Sequence, residues 1–155
     1  TADGKAIDAS EWRVNVGTAG NQVTPTIAAD ANRNFAIAWA SEDGPSDFTV
    51  KVRSFLASGA AVANSQNANG TADIALSDLS GPSDIAPAIA MDRQTGSFVV
   101  AFEGNSGSTS DIYRQQFNAT GVSQEANLIV NATQAGVQRT PSAATRPPRI
   151  GRERM

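Results

Sequence analysis

The pattern in this sequence that most suggests chemistry is a run of oxygen-bearing side chains at alternate positions. Asp30, Asn32 and Asn34 are spaced as in the first half of a calcium-binding loop, where one tight turn presents several oxygens to a hard cation. The glycine and the distal glutamate of such a loop are missing. Because an aspartate can also cap the backbone amides of a turn, the pattern is open to two interpretations, a calcium site and a capped turn.

Any acid–base catalysis would have to rely on carboxylates. The chain has no histidine and no cysteine, which excludes Ser-His-Asp and Cys-His nucleophiles, the usual zinc ligand sets and disulfides. Paired carboxylates, as in glycoside hydrolysis, are the chemistry that is left. Nothing in the sequence marks the acidic clusters as desolvated, so we predict solvated loop acids and no enzyme. The clusters contain Glu42, Asp43, Asp47, Glu103 and Asp111.

Two aromatic residues are candidates for a ligand-binding surface. An aromatic ring at a strand end can stack on a sugar, but most aromatic residues here recur at matching positions of an internal repeat and are predicted to form its core. Trp12 and Tyr113 have no aromatic counterpart in the other repeat. They are therefore the predicted ligand-binding residues.

The internal repeat determines how the chain is organised. Residues 22–39 read QVTPTIAADANRNFAIAW, and residues 84–102 read DIAPAIAMDRQTGSFVVAF. Pro25 matches Pro87 and then Pro141, which gives periods of 62 and 54 residues. The extra residues of the first period fall in an Asn/Ala/Gly-rich stretch at 64–71, which is predicted to be a surface-loop insertion.

These matches divide the chain into two full repeats and two fragments. Repeat 1 is assigned to 16–77 and repeat 2 to 78–131. The end of a preceding repeat is assigned to 1–15, the start of a third to 132–144, and a disordered basic tail to 145–155.

Each repeat contains four strand-like segments and no long helical periodicity. Val and Ile together number 20 against 4 Leu, a ratio that favours strands. In repeat 2 the segments are 85–91, 97–103, 111–118 and 126–131. The predicted fold is all-β, made of tandem four-stranded antiparallel repeats like β-propeller blades, with β-sandwich or solenoid repeats as alternatives.

The repeat pattern resembles a known group of proteins. The runs QxxPxIAxD, GxFVVAF and DIYxQxFxAxG, ending in Val-Asn, are similar to propeller-like repeats of large secreted or surface-attached bacterial proteins. Such repeats often lie near calcium-binding or adhesion modules. The resemblance therefore implies a blade-like fold and a secreted or cell-surface location.

Charge narrows the choice of partners. The formal charge is −3, but the last ten residues hold four arginines, so residues 1–145 are clearly acidic. An acidic body predicts no nucleic-acid binding, which needs a basic face. No apolar run approaches the roughly 18 residues of a membrane span.

The sequence thus predicts a non-catalytic extracellular module with a structural, adhesive or self-assembly role. We expect strand edges to pair with other copies or with other surface proteins. The alternatives are a carbohydrate-binding module that binds glycans and an accessory domain of a secreted hydrolase. No cofactor other than calcium is expected.

Overall fold

The computed structural model describes residues 11–67, 70–76, 84–105, 109–133 and 135–145. These ranges contain two four-stranded antiparallel sheets and no helix. The predicted all-β class is confirmed. Neither sheet closes into a barrel or a propeller within the described residues. The predicted basic tail lies, apart from Thr145, outside these residues.

Both sheets are meanders, in which each strand pairs with the next one along the chain. Sheet 1 contains β1 (Gln22–Ala29), β2 (Phe35–Gly44), β3 (Asp47–Phe55) and β4 (Ile74–Ala75). Sheet 2 contains β5 (Asp84–Met91), β6 (Phe98–Asn105), β7 (Ser110–Phe117) and β8 (Leu128–Ile129).

The pairing registers of the two sheets correspond. Ile27 pairs with Ile37 in sheet 1, and Ile89 pairs with Val100 in sheet 2. Likewise Phe35 pairs with Phe55, and Phe98 pairs with Phe117. Residues that hold the same register position in the two sheets are called equivalent below.

The first strand of each sheet carries the same irregularity. Thr24 (φ 50°) and Ala86 (φ 53°) lie at equivalent shifts of register, and each precedes a proline. Proline has no N–H to donate to a ladder, so the pairing is interrupted at that point. The last strand of sheet 2 is shorter than the predicted 126–131, because only Leu128 and Ile129 pair with β7.

The core lies between the two sheets, where a face of small side chains meets a face of large ones. The covered face of sheet 1 is made of Ala36, Ala38, Val50 and Val52, each at most 1% exposed. The covered face of sheet 2 is largely aromatic. It consists of Ile89, Met91, Phe98, Val100, Phe102, Tyr113 and Phe117.

Stacked rings order the covered face of sheet 2. The ring centroids of Phe98 and Phe117 lie 4.8 Å apart, and those of Phe102 and Tyr113 lie 5.9 Å apart. Alternating residues of β6 and β7 point to the same side, so these pairs sit next to each other across the ladder. Each fully buried ring contributes about 1.5–3 kcal/mol to folding.

The predicted insertion at 64–71 does more than extend a loop, because its described residues bond to the connection between β7 and β8 of sheet 2. Asn64 Nδ2 donates to the Thr120 carbonyl at 2.7 Å, and the Ser123 amide donates to Gln66 Oε1 at 2.8 Å. Next to these bonds, Gly121 (φ +75°) packs so closely that a Cβ would lie 2.5 Å from Ser54 Oγ. The insertion therefore joins the two sheets outside their core.

The contact at Gly121 can be tested against a second glycine of similar backbone conformation. Gly136 (φ +88°) has open space where a Cβ would be placed. We expect Gly136→Ala to lower the free energy of unfolding by about 1 kcal/mol through backbone strain alone. Gly121→Ala should cost about 1–3 kcal/mol more, because Ser54 must also move. Urea denaturation measures both, and equal losses would contradict the close packing of this loop.

Candidate functional site

Among the described residues, each sheet has one face on which no other sheet packs. These two outer faces are the candidate sites, because each is equivalent to a face that is covered in the other sheet. The outer face of sheet 1 consists of Ile27, Phe35, Ile37, Trp39 and Phe55. The outer face of sheet 2 consists of Val99, Ala101, Glu103, Ile112 and Arg114.

The outer face of sheet 1 is an open apolar groove of about 500 Å³. Ile27 is 62% exposed there, whereas the equivalent Ile89 is only 9% exposed beneath sheet 1. The two residues are identical and have the same register. Their difference in exposure therefore comes from the presence or absence of a neighbouring sheet.

A segment at 11–17 covers part of this face. The Trp12 ring packs on Phe55 with the centroids 5.1 Å apart and is still 43% exposed. The guanidinium of Arg53 donates to the carbonyls of Val14 and Gly70, which attaches the segment to the sheet. The predicted ligand-binding residue Trp12 thus lies at the edge of the groove, with one side of its ring packed.

The outer face of sheet 2 holds a second groove, of about 330 Å³. Val99, Ala101 and Ile112 line it from the sheet, and residues 141–144 line it from the other side. The charges on this face have partners within the chain. Arg114 pairs with Glu125, and Glu103 Oε1 lies 3.8 Å from Arg139 Nε.

Residues 138–145 lie across sheet 2. The Gln138 amide donates to the Ser110 carbonyl at 2.9 Å on β7, and Thr145 Oγ1 donates to the Met91 carbonyl at 3.1 Å on β5. Thr140 has φ 52° and precedes a proline, as Thr24 and Ala86 do in the first strands of the two sheets. The segment therefore has the backbone irregularity of a first strand, without a second strand beside it among the described residues.

The burial of a residue depends on which sheets lie beside it, as three residues matched by the internal repeat show. They are Val14, Leu76 and Val130. The Leu76 amide donates to the Val50 carbonyl at 2.8 Å, and the Val130 amide donates to the equivalent Ile112 carbonyl at 2.8 Å. Leu76 lies between the two sheets and is 0% exposed, whereas Val130 lies beyond sheet 2 and is 56% exposed. Val14, on the outer face of sheet 1, is intermediate.

The predicted metal ligands form a compact turn between β1 and β2. Asp30 Oδ1 accepts from the Asn34 amide and Asp30 Oδ2 from Asn34 Nδ2, both at 2.9 Å, while Asn32 is exposed. A Cβ on Gly96 would lie only 3.2 Å from Asp30 Oδ2. Both oxygens of Asp30 thus hold the turn, and the calcium site stays a prediction.

Asp92 caps the equivalent turn of sheet 2. Its Oδ1 accepts from the amides of Thr95 at 2.8 Å and Gln94 at 2.9 Å. These backbone hydrogen bonds to the ionised carboxylate hold the pKa of Asp92 below its ordinary value.

The predicted ligand-binding residue Tyr113 lies in the core. Its side chain is 9% exposed and stacks on Phe102 between the sheets. Its equivalent in sheet 1 is Lys51, on the outer face. Lysine therefore occupies this position on a partly open face, and tyrosine occupies it on a covered face. The Tyr113 ring is not accessible to a ligand in this conformation.

The candidate carboxylates are used in separate structural contacts. Asp43 accepts from Lys51 Nζ at 2.6 Å. Burial raises the pKa of the Asp43 carboxyl, but hydrogen bonds from Lys51 and Thr49 outweigh it and hold this pKa below its ordinary value. Glu42 accepts from the Asn21 backbone and side chain. No group of three or more acidic residues in the described ranges is placed to share a metal ion.

Comparison with known proteins identifies no relative: no family model, curated protein or solved structure matches this chain. No helix in the described part of the chain is long and apolar enough to cross a membrane.

The sequence pointed to the segment at 138–143 as a first strand in need of partner strands, but it did not single out Ile27 or Val99 as part of a surface. Ile27 and Ile89 are the same residue in the same pattern, so composition alone gives no reason to separate them. The available signal was positional. Ile27 lies in the segment assigned to repeat 1, and residues 138–144 lie in the segment assigned to the start of a third repeat.

The lowered pKa of Asp92 predicts that its contribution to the free energy of unfolding depends on pH. Because the folded pKa lies below that of the unfolded chain, the stabilisation by ionised Asp92 is present above the ordinary pKa and is lost as the pH falls through the folded one. We expect Asp92→Asn to destabilise the protein at neutral pH and the difference from wild type to shrink below about pH 4. Urea denaturation over this range measures it. A difference that stays constant with pH would show that charge plays no part.

The calcium prediction can be tested at Asp30. Since both of its oxygens already accept hydrogen bonds in the turn, we expect calcium at about 1 mM, a typical extracellular-module affinity, to leave the melting temperature unchanged. A rise in melting temperature that Asp30→Asn abolishes would establish the site. Magnesium at the same concentration is the control for ionic strength.

Proposed function

We propose that this chain is a non-catalytic extracellular module that associates through its two outer sheet faces and the strand edges beside them. Its partners are other copies of itself or other surface proteins. The observation that carries this proposal is the contrast between Ile27 and Ile89. Ile89, on which a sheet packs, is 9% exposed, whereas Ile27, on which none packs, is 62% exposed. The outer face of sheet 1 therefore has the chemistry of an interface.

The finer architecture belongs to the same proposal. We infer that the two sheets are tandem repeats and that they act as blade-like units of a larger arrangement. The matching registers and the shared irregularity at Thr24 and Ala86 support this inference.

Location and chemistry follow from the composition. A secreted or cell-surface location is supported by the absence of cysteine and by a surface rich in neutral polar side chains. The lack of catalysis is supported by the separate structural contacts of the candidate carboxylates. The proposal includes no calcium at Asp30, because both of its oxygens accept hydrogen bonds from Asn34.

Carbohydrate binding is the second candidate function, and Trp12 is the observation that favours it. Its indole is 43% exposed beside an apolar groove, which suits stacking on a sugar ring. A glycan array is the direct test. Binding that Trp12→Ala abolishes would favour this function over association between sheets.

Association through the outer faces is tested by sedimentation velocity. We expect the wild-type chain to sediment above its 16.0 kDa monomer mass as concentration rises. Ile27→Lys should shift this association to about tenfold higher concentration, because a buried isoleucine contributes roughly 1.5–3 kcal/mol.

Leu56→Lys is the matched control for this experiment. Leu56 is 48% exposed in the turn after β3, so the variant makes the same change of charge away from the outer faces. A wild-type chain that stays monomeric at high concentration would contradict self-assembly. Equal effects of the two variants would contradict the assigned face.

A further inference from the structure

Residues 138–145 occupy the place of a first strand on sheet 2. Strand β5 packs across sheet 1, where it contacts β1, β2 and β3. Residues 138–145 likewise cross sheet 2, from Ser110 on β7 to Met91 on β5. The segment also repeats the side-chain bond of β1, since Gln138 donates to the Ala135 carbonyl as Gln22 donates to the Ala19 carbonyl.

The interface between sheet 1 and sheet 2 shows which strands follow a first strand that crosses a sheet. On sheet 1, β5 is followed by β6 and β7, whose aromatic side chains belong to the same buried core as Ala36 and Val50. The positions equivalent to these two residues on sheet 2 are Val99 and Ile112, which line the groove of about 330 Å³. The groove therefore corresponds to the place that a hairpin of the β6–β7 type fills in the internal interface.

The charges around the groove also indicate an apolar occupant. Arg114 is held by Glu125, and Glu103 is 3% exposed beside Arg139. A partner does not have to neutralise any of these charges. Asn131, the other long polar residue in the lining, is bonded to the Ile112 amide and to Asp111. The rest of the lining is aliphatic or small and suits alternating large apolar side chains.

We propose that the outer face of sheet 2 and residues 138–145 form a docking surface for a β-hairpin whose alternate side chains are large and aromatic, as they are in β6 and β7. The first strand of the hairpin pairs along 138–145, and its alternate aromatic side chains enter the groove. This proposal rests on the proposed function, because it states what one of the two outer faces binds. A second complete sheet fits less well, since residues 138–145 already occupy the position of its first strand.

The test uses the full chain and a labelled peptide with the sequence of residues 92–121, which contains β6 and β7. We expect saturable 1:1 binding by fluorescence anisotropy. Val99→Lys in the full chain should weaken it about tenfold or more, because a charge then faces the aromatic side of the hairpin. Leu56→Lys is the matched control and should leave the affinity unchanged. Circular dichroism checks that both variants are folded.

A change in the peptide keeps the test independent of the folding of the full chain. A peptide with Phe102→Ser and Tyr113→Ser retains the turn but loses two aromatic side chains, and its binding should fall at least as far. Absence of saturable binding by the original peptide would overturn the proposal, and so would equal affinity for both peptides.

A failure of the docking surface can be distinguished from a failure of the proposed self-assembly. Sedimentation of the chain without peptide measures self-assembly, whereas anisotropy measures capture of a hairpin by the outer face of sheet 2. Self-association without peptide binding overturns the docking surface and leaves the proposed function standing. A monomeric chain that binds the peptide supports the docking surface and removes self-assembly.

Discussion

The close packing of a small-residue face on an aromatic face is the contact on which both sheets depend. Alanine at positions 36 and 38 leaves room in the shared core for side chains as large as Phe102. A single four-stranded meander has two faces and cannot cover either of them by itself. Stability therefore arises between the sheets, and a face that lacks such a neighbour leaves apolar side chains such as Ile27 exposed to water.

The sequence predicted the strands well because they follow from local patterns. Alternation of side chains in 111–118, the doubly apolar run at 98–102 and the turn aspartates are short-range signals, and the strands agree with them to within a few residues. The repeat comparison also located the extra residues at 64–71. Local signals did not reveal that Asn64 would bond to Thr120, because a polar loop composition does not specify a partner.

The candidate sites were harder to predict, because exposure depends on neighbouring sheets. Tyr113 was predicted to bind a ligand because it has no aromatic counterpart in the other repeat, yet the ring stacks on Phe102 in the core. Asp30 and Asn34 were correctly placed in one turn, but spacing could not show that both Asp30 oxygens accept hydrogen bonds from Asn34. Ile27 and Ile89 differ only in what packs on them, which no local pattern contains.

The meander topology has a consequence for the order in which the protein folds. Because each strand pairs with the next one along the chain, the hydrogen bonds of sheet 1 can form before sheet 2 has been synthesised. Its alanine face then remains hydrated until β5 to β7 emerge and cover it. During synthesis, sheet 1 can therefore serve as the template on which sheet 2 condenses.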